Sequence, residues 1–372
     1  MKKNIFLTAI VVSAILAVSC SKDNDNGTTD PVANELANLK AVTFPVMEDQ
    51  QVATESGWNP RGIKKLISTR KQMVVNPMQL VNEQSTDVIF PGNVLRGDSF
   101  LQGKYDPIAI SNPGEITIST SLQGKDLNVK TRSLPTISDV RQKINDLLKN
   151  NQDKIDAKNA PSYITYLANS VTSVTSFNKS FRLHVGVDIL KQLVEVGFNY
   201  NPSEFRANGR DYVLIKVRQP LYNLAVDPIE PSQWGTLKNV GDTEPVYVSS
   251  IDYGRVAHLL IQTDRSHEDV EKIIDATVKV NVAKIVGVDV GGGYTEITKK
   301  WFSEGKIVAI AAGGPLSQSK SIKDFDSFIK FLETPDAESL IQSAVPIGYK
   351  VRTLKDNKEV EVRTTYIDEE FK

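Results

Sequence analysis

The stretch "VYVSSIDYGRVAHLLIQT", Val246–Thr263, sets the fold class. Its valines, isoleucines, leucines and tyrosines recur at period two over a length that only a long strand accommodates. "EITISTSL" (Glu115–Leu122) and "DYVLIKVRQPLYNLAV" (Asp211–Val226) have the same texture. Together they indicate strands of a large, mostly antiparallel sheet. Helices punctuate them. In "TISDVRQKINDLLKN", Val140, Ile144, Leu147 and Leu148 form one apolar stripe, with Ser138 as the expected N-cap. In "KSIKDFDSFIKFLE", Ile322, Phe325, Phe328, Ile329 and Leu332 do the same. Both stripes read as core packing, no solenoid repeat occurs, and the class is α+β.

At 372 residues the chain has material for two or three domains. A net charge of -1 argues against a nucleic-acid footprint. Lys2 and Lys3 precede the apolar run Ile5–Val18, and "LAVSC" ends at Cys20, the one cysteine. That order describes a secretory signal, too short to span a bilayer, which takes about 20 residues. The polar residues 21–34 read as a flexible tether. With one cysteine and three histidines (His184, His258 and His267), neither a metal cluster nor a Cys/His catalytic pair is expected. No cofactor is expected.

Two segments satisfy two periodicities at once. In "SFRLHVGVDILKQLVEVGFNY" (Ser180–Tyr200), Phe181, Leu183, Val185, Val187 and Ile189 alternate with Arg182, His184, Gly186 and Asp188. The return run carries Val194, Val196 and Phe198. Phe181–Ile189 has the length of a tilted membrane-crossing strand, about 9–11 residues. Leu183, Val187, Leu190, Val194 and Phe198 equally form a helical stripe. Likewise Val270, Ile273, Ile274 and Val278 support a helix, while Val278, Val280, Val282, Val286, Val288 and Val290 alternate as a strand would. Lys284 interrupts that face, and a lipid-facing lysine costs roughly 2–4 kcal/mol at a bilayer midplane. Five apolar residues leaving water supply about 10 kcal/mol for insertion, provided strand pairing satisfies the backbone. Such segments can be stored as helices and inserted as hairpins; an ordinary half-buried strand pair is the alternative.

The glycine loop "IVGVDVGGGYTEI" (Ile285–Ile297) looks like a phosphate cradle, since Asp289, Gly291, Gly292, Gly293 and Thr295 fit the Asp-x-Gly-Gly-Gly-x-Thr loop of actin-like ATPases. The second phosphate loop of that fold is missing, and Lys279 and Asn281 sit on a strand that should be wholly buried. The glycines read instead as a hairpin turn or the tip of a helical cluster. No nucleotide is expected, and no enzyme.

An ordered set of strings resembles the cholesterol-dependent, or thiol-activated, cytolysins. They are "DVIFPGNVL" (Asp87–Leu95), Tyr253, Gly254 and Arg255 within the opening strand, "VAIAAGGPLSQSKSIKDFD" with Gly313 and Gly314, and "YKVRTLKDNKEVEVRTTYIDEEF" toward the C-terminus. The resemblance implies a cytolysin/perforin-like core: a bent central antiparallel sheet flanked by helical clusters that convert into two transmembrane hairpins. In it Gly313–Gly314 is a hinge that frees an edge strand, and Arg182, His184 and Asp188 face the pore lumen. The family has an aromatic where this chain has Ile307, six residues before the glycine pair. Its tryptophan-rich undecapeptide is missing, Trp58, Trp234 and Trp301 being scattered. Cholesterol recognition is therefore not carried over, and the chain is expected to lack the C-terminal cholesterol-binding domain.

Cys20 sits in what resembles a lipobox, so the chain looks like the short cytolysin-like lipoproteins of Bacteroidota, exported to the outer membrane or cell surface. The implied division is a signal peptide 1–19, a lipidated tether 20–38, an elongated β linker from 39–75 and 362–372, a body from 76–164, 213–265 and 315–361, and a pore-forming part from 165–212 and 266–314. The implied partners are membrane lipid, further copies in a ring, and a longer cytolysin-like protein. A surface lipoprotein of this fold that only binds a partner, glycan or membrane is the alternative.

Overall fold

The computed structural model describes residues 31–59, 62–75, 87–123, 127–151, 165–171, 211–263, 306–314 and 337–371, together with Lys300, Ser303, Asp324, Ser327, Lys330 and Phe331. The residues of both dual-period segments, the glycine loop, Cys20, and the stripe Ile322, Phe325, Phe328, Ile329 and Leu332 lie outside them.

Three antiparallel sheets organise the described residues. The largest is built on β10 (Val246–Thr263) and β8 (Asp211–Val226), the two strands most legible in the sequence. β8 pairs with β5 (Glu115–Thr120), which pairs with β6 (Asn128–Arg132). β7 (Thr165–Val171) also pairs with β8; β3 (Val94–Leu95), β11 (Lys306–Ala312) and β12 (Val345–Thr353) pair with β10. A second sheet has the order β1 (Gln50–Asn59), β2 (Gly62–Val74), β13 (Arg363–Phe371), and β4 (Ala109–Ser111) pairs with β9 (Thr236–Lys238).

The lower part of the large sheet is covered on both faces, so β10 there is buried on both sides instead of half-buried. On one face Tyr247 packs on Trp234, ring centroids 4.8 Å apart, in a cluster with Ile116, Ile118, Leu224, Val140 and Ile144. On the other, Val246, Val248 and Ile251 meet Phe100, Tyr349 and Val351. Val140, Ile144 and Leu147 are the buried stripe of the helix Ile137–Asn150, as its periodicity predicts. Its cap is Thr136 and not Ser138: the Thr136 hydroxyl accepts from the Asp139 N–H at 3.3 Å. Thr136 holds extended backbone just before the first helical residue, whereas Ser138 already lies inside the helix.

A second difference concerns the tether. Residues expected at its end form the helix Pro31–Ala37, whose Val32 and Leu36 join the core. The strand-like segment behind it is tied down: the Lys40 N–H donates to the Asp242 carbonyl and the Glu244 N–H to the Lys40 carbonyl. Two apolar residues at helical spacing outweigh a polar flank.

Candidate functional site

β8 and β10 run through the whole height of the sheet, but their neighbours change halfway. From Val246 to Gly254, one side of β10 is taken by β12; from Val256 to Gln262 the same side is taken by β11. β8 makes the same exchange, with β5 at Leu224–Val226 and β7 at Tyr212–Arg218. Both ladders flanking β10 slip at the exchange. Tyr253 faces Tyr222 but Gly254 faces Pro220, leaving Leu221 as the extra residue of β8. Asp252 faces Gly348 but Tyr253 faces Pro346, leaving Ile347 extra in β12. Bulges bend a strand and raise its twist, so two side by side bend the sheet along one line. Pro220, with no N–H to give a ladder, is tolerated there for that reason.

Glycine is required on this line because backbones approach too closely for a side chain. A Cβ on Gly254 would stand 2.1 Å from the Gln219 carbonyl oxygen. One on Gly313 would stand 2.3 Å from the Gly254 carbonyl oxygen and 3.0 Å from the Arg255 Cα. Gly313 and Gly314 also hold φ of +78° and +86°, the left-handed region. The pair therefore turns the chain sharply as it leaves β11 and crosses the seam. Beyond it, the Gly314 N–H donates to the Ser343 carbonyl at 3.0 Å, next to the helix Ala337–Gln342.

Tyr253 and Tyr222 stack with ring centroids 5.1 Å apart and an interplanar angle of 2°. Burial pushes the Tyr253 phenol up to about 12, so the stack stays uncharged. Arg255 is 1% exposed. Its Nε donates to Oε1 of Gln219, its neighbour on β8, at 2.6 Å, and its Cζ lies 4.8 Å from the centre of the Phe331 ring. Burial pulls its guanidinium down to about 10. Across the seam, Arg218 Nη2 from above meets Asp252 Oδ2 from below at 2.6 Å, and Asn223 Nδ2 donates to Asp252 Oδ1 at 2.9 Å.

Five of the residues singled out in the sequence thus meet on one line: Tyr253, Gly254, Arg255, Gly313 and Gly314. The residues expected to form hairpins, Phe181, Leu183, Val185, Val187, Ile189, Val194, Val196 and Phe198, then Val278, Val280, Val282, Val286, Val288 and Val290, with Arg182, His184 and Asp188, fall outside the described residues. Sequence reading missed Tyr222, Gln219 and Phe331, whose partners are far along the chain; Pro220 inside a strand pattern was the available sign of a bulge. No group of residues suited to hold a metal ion occurs among the described residues. No described helix is long and apolar enough to cross a membrane, which says nothing of crossing by strands.

A family model described as thiol-activated cytolysin matches residues 63–371. The chain is 25% identical to a hemolysin of Bacillus cereus over 297 residues, covering 75% of this chain and 58% of the relative. It is 23% identical to perfringolysin O of Clostridium perfringens over 317 residues, 80% of this chain and 60% of the relative. It thus spans about three fifths of these relatives' length. Among solved structures, intermedilysin superposes with a TM-score of 0.63 at 22% identity, over 92% of this chain and 75% of the other. Wild-type pneumolysin does so with a TM-score of 0.64 at 20% identity, over 92% and 74%. The α+β fold with its bent antiparallel sheet is the fold of these toxins.

Proposed function

Because the chain belongs to the thiol-activated cytolysin family, we propose that it is a pore-forming component, not an enzyme, whose copies join edge to edge and insert two β-hairpins into a target membrane. The observation that carries this reading is the register of the upper sheet. Val171, Tyr212, Gln262 and Lys306 oppose one another in one transverse row across β7, β8, β10 and β11. Above Gly254 none of these three ladders slips. Residues directly opposed share a face of a sheet, and so does every second residue along each strand.

Counting outward by twos from that row reaches the apolar positions on all four strands. From Val171 it reaches Phe181 to Ile189; from Tyr212, back through Tyr200, Phe198, Val196 and Val194; from Gln262, Val278, Val280 and Val282; from Lys306, Val290, Val288 and Val286. Unbroken continuation opposes Val187 to Val196 and Val280 to Val288. Arg182, His184 and Asp188 fall on the other face, with Glu195, Lys279 and Asp289. Lys284, which interrupts the second run in the sequence, lands at the apex, and Lys191 with Gln192 forms the other tip. Lys179 would oppose Glu204, and Lys272 would oppose Glu296, bounding each apolar band with a charged pair. Four independent alternations agreeing in phase is what an inserted sheet requires, since every lipid-facing strand must present the same side.

Cys20 as the lipidation site, export to the outer membrane or cell surface, and a longer family member as partner complete the reading. The division into linker, body and pore-forming parts belongs to the same proposal, and the separate β1–β2–β13 sheet supports its linker.

The test is dye release from liposomes by an unlipidated Cys20→Ser protein, alone and with a longer homologue from the same organism. Release is expected in at least one mixture. Val187→Lys should reduce it tenfold or more, at a cost of about 2–4 kcal/mol for a lipid-facing lysine, while Asp188→Lys should not. Environment-sensitive dyes at 181–189 should read lipid and water alternately. A single environment at every position while dye escapes would sink the hairpin assignment, and no release in either mixture would favour a protein that only binds.

A further inference from the structure

Past Phe371 the linker sheet narrows to two strands. β13 runs along β2 as far as the Phe371–Leu66 pair. β1 and β2 continue through four more opposed pairs: Ser56–Lys65, Gly57–Lys64, Trp58–Ile63 and Asn59–Gly62. Among the described residues no third strand joins them there. Directly opposed residues share a face, as does every second pair. Trp58, Ile63 and Lys65 therefore lie on one face of the ribbon, and Lys64 on the other. A ribbon of two strands has no second layer of its own in which to bury a tryptophan opposed to an isoleucine. The charges are ordered too. β2 carries Lys64, Lys65, Arg70 and Lys71 and no acid. Arg70 and Lys71 oppose Ile367 and Tyr366, where β13 brings Asp368 and Glu369 alongside. Lys64 and Lys65 stand past its end. The nearest acids in register are Glu55, opposite Leu66, and Glu370, opposite Ile67. Seen from the tip, both lie behind the lysines, about 10 and 13 Å back from the Trp58–Ile63 pair at the usual rise of a strand.

We propose that the tip of the β1–β2 ribbon is a membrane-surface contact, with Trp58 and Ile63 seated at the headgroup level of a bilayer and Lys64 and Lys65 on its anionic lipids. This deepens the pore-forming reading and rests on it for the presence of a membrane, but surface binding needs no pore. Tryptophan is the side chain that settles at a membrane–water interface, its ring apolar and its N–H wet. Each lysine beside an anionic surface is worth about fivefold in binding. The surface field fades within a Debye length, about 10 Å at 0.1 M salt. When the tip touches, the two lysines fall inside that reach, while Glu55 and Glu370 lie at its limit or past it. A ribbon positive at its tip and negative behind is also turned tip first by the field. A protein partner fits less well. A stable protein interface takes about 20–30 residues a side, and the ribbon past β13 offers eight described ones. An interfacial aromatic flanked by cations needs no larger area.

The experiment is vesicle flotation of the full-length Cys20→Ser protein, with vesicles of phosphatidylcholine alone or mixed with phosphatidylserine. At 0.1 M salt the mixed vesicles should bind it about tenfold more tightly or better. Lys64→Gln with Lys65→Gln should weaken that binding about twentyfold, from about fivefold per lysine. Arg70→Gln with Lys71→Gln, the same charge change on the same strand, should weaken it by about threefold at most, since these residues stand more than a Debye length from the tip. Trp58→Ala should weaken binding to both kinds of vesicle. The glutamine pair, two polar changes on a ribbon tip, keeps the test open should Trp58→Ala fail to fold. Equal losses from the two basic pairs, or wild-type binding indifferent to phosphatidylserine, would overturn the proposal. So would a wild type that ignores vesicles but binds its longer homologue through Lys64 and Lys65, for the tip would then be a protein contact. Dye release separates the two readings. If vesicles are bound through these residues but release no dye, with or without the longer homologue, pore formation fails and the contact stands. If dye escapes and both flotation and release are unchanged in the glutamine pair and in Trp58→Ala, the contact fails and pore formation stands.

Discussion

The two halves of the large sheet share two strands and little else. Below Gly254, β8 and β10 lie between clusters that bury both faces, and every register slip of this sheet falls at or below that level. Above it, β7, β8, β10 and β11 pair without a slip and finish at one transverse row. The difference teaches what each half is built for. Bulges, caps and two-sided cores lock a single arrangement, whereas a regular ladder is the form of sheet that can be lengthened without renegotiating its register.

The comparison can be broken most decisively at the seam. Gly254→Ala puts a Cβ against the Gln219 carbonyl oxygen, which is main chain and has nowhere to go. A loss of more than about 4 kcal/mol is expected in denaturant unfolding, backbone conflict at a glycine being one of the few mechanisms that reach that range. A change below about 1 kcal/mol would mean that the two halves are not held in register through this point.

Next come matched truncations. Ile251 and Ile261 are both 0% exposed, one in each half. Ile251→Ala should lower global stability by about 2–5 kcal/mol. Ile261→Ala removes the same atoms but should act on local opening of the upper strands, read by hydrogen exchange, with a smaller shift of the global transition. Equal shifts of one cooperative transition would show the sheet to be a single unit.

The smallest effect is acid. Thr131 donates its hydroxyl hydrogen to Asp139, and the Arg96 guanidinium donates to Asp98; both carboxyls are held below their ordinary 3.8. A carboxyl lowered in the folded state stabilises fully above its unfolded value, and that contribution is lost as pH falls through the folded one. The described residues of the upper half above Gly254 contain one acid, Asp211. Between pH 4 and 2, fluorescence of Trp234 should therefore report loosening of the body before exchange reports it in β10 above Arg255. The reverse order would contradict the assignment of these carboxyls to the body's stability.

Much of this was readable from local pattern. Periodicity delimits β8 and β10, and the stripe of the Ile137–Asn150 helix is the buried one. What was not readable depends on pairs distant in sequence. Nothing around Arg255 announces that its cover is Phe331, nor does the run of β8 reveal that Leu221 is the residue left over, because a bulge is defined by the partner strand. The cap went to Thr136 over Ser138 because two adjacent hydroxyls offer the same chemistry and only backbone geometry chooses between them. For the proposed hairpins, alternation was legible but phase was not: a common phase can be proposed only by counting from the observed row Val171, Tyr212, Gln262, Lys306.

The bend also has a mechanical side. From Arg255 to Thr263 the upper arm of β10 is about 30 Å long at the usual rise of a strand. A change of about 10° at the seam therefore sweeps its far end through about 5 Å, which is one inter-strand spacing. A pivot as small as that at the Tyr222–Tyr253 level therefore carries the far end of the arm through the distance between two paired strands.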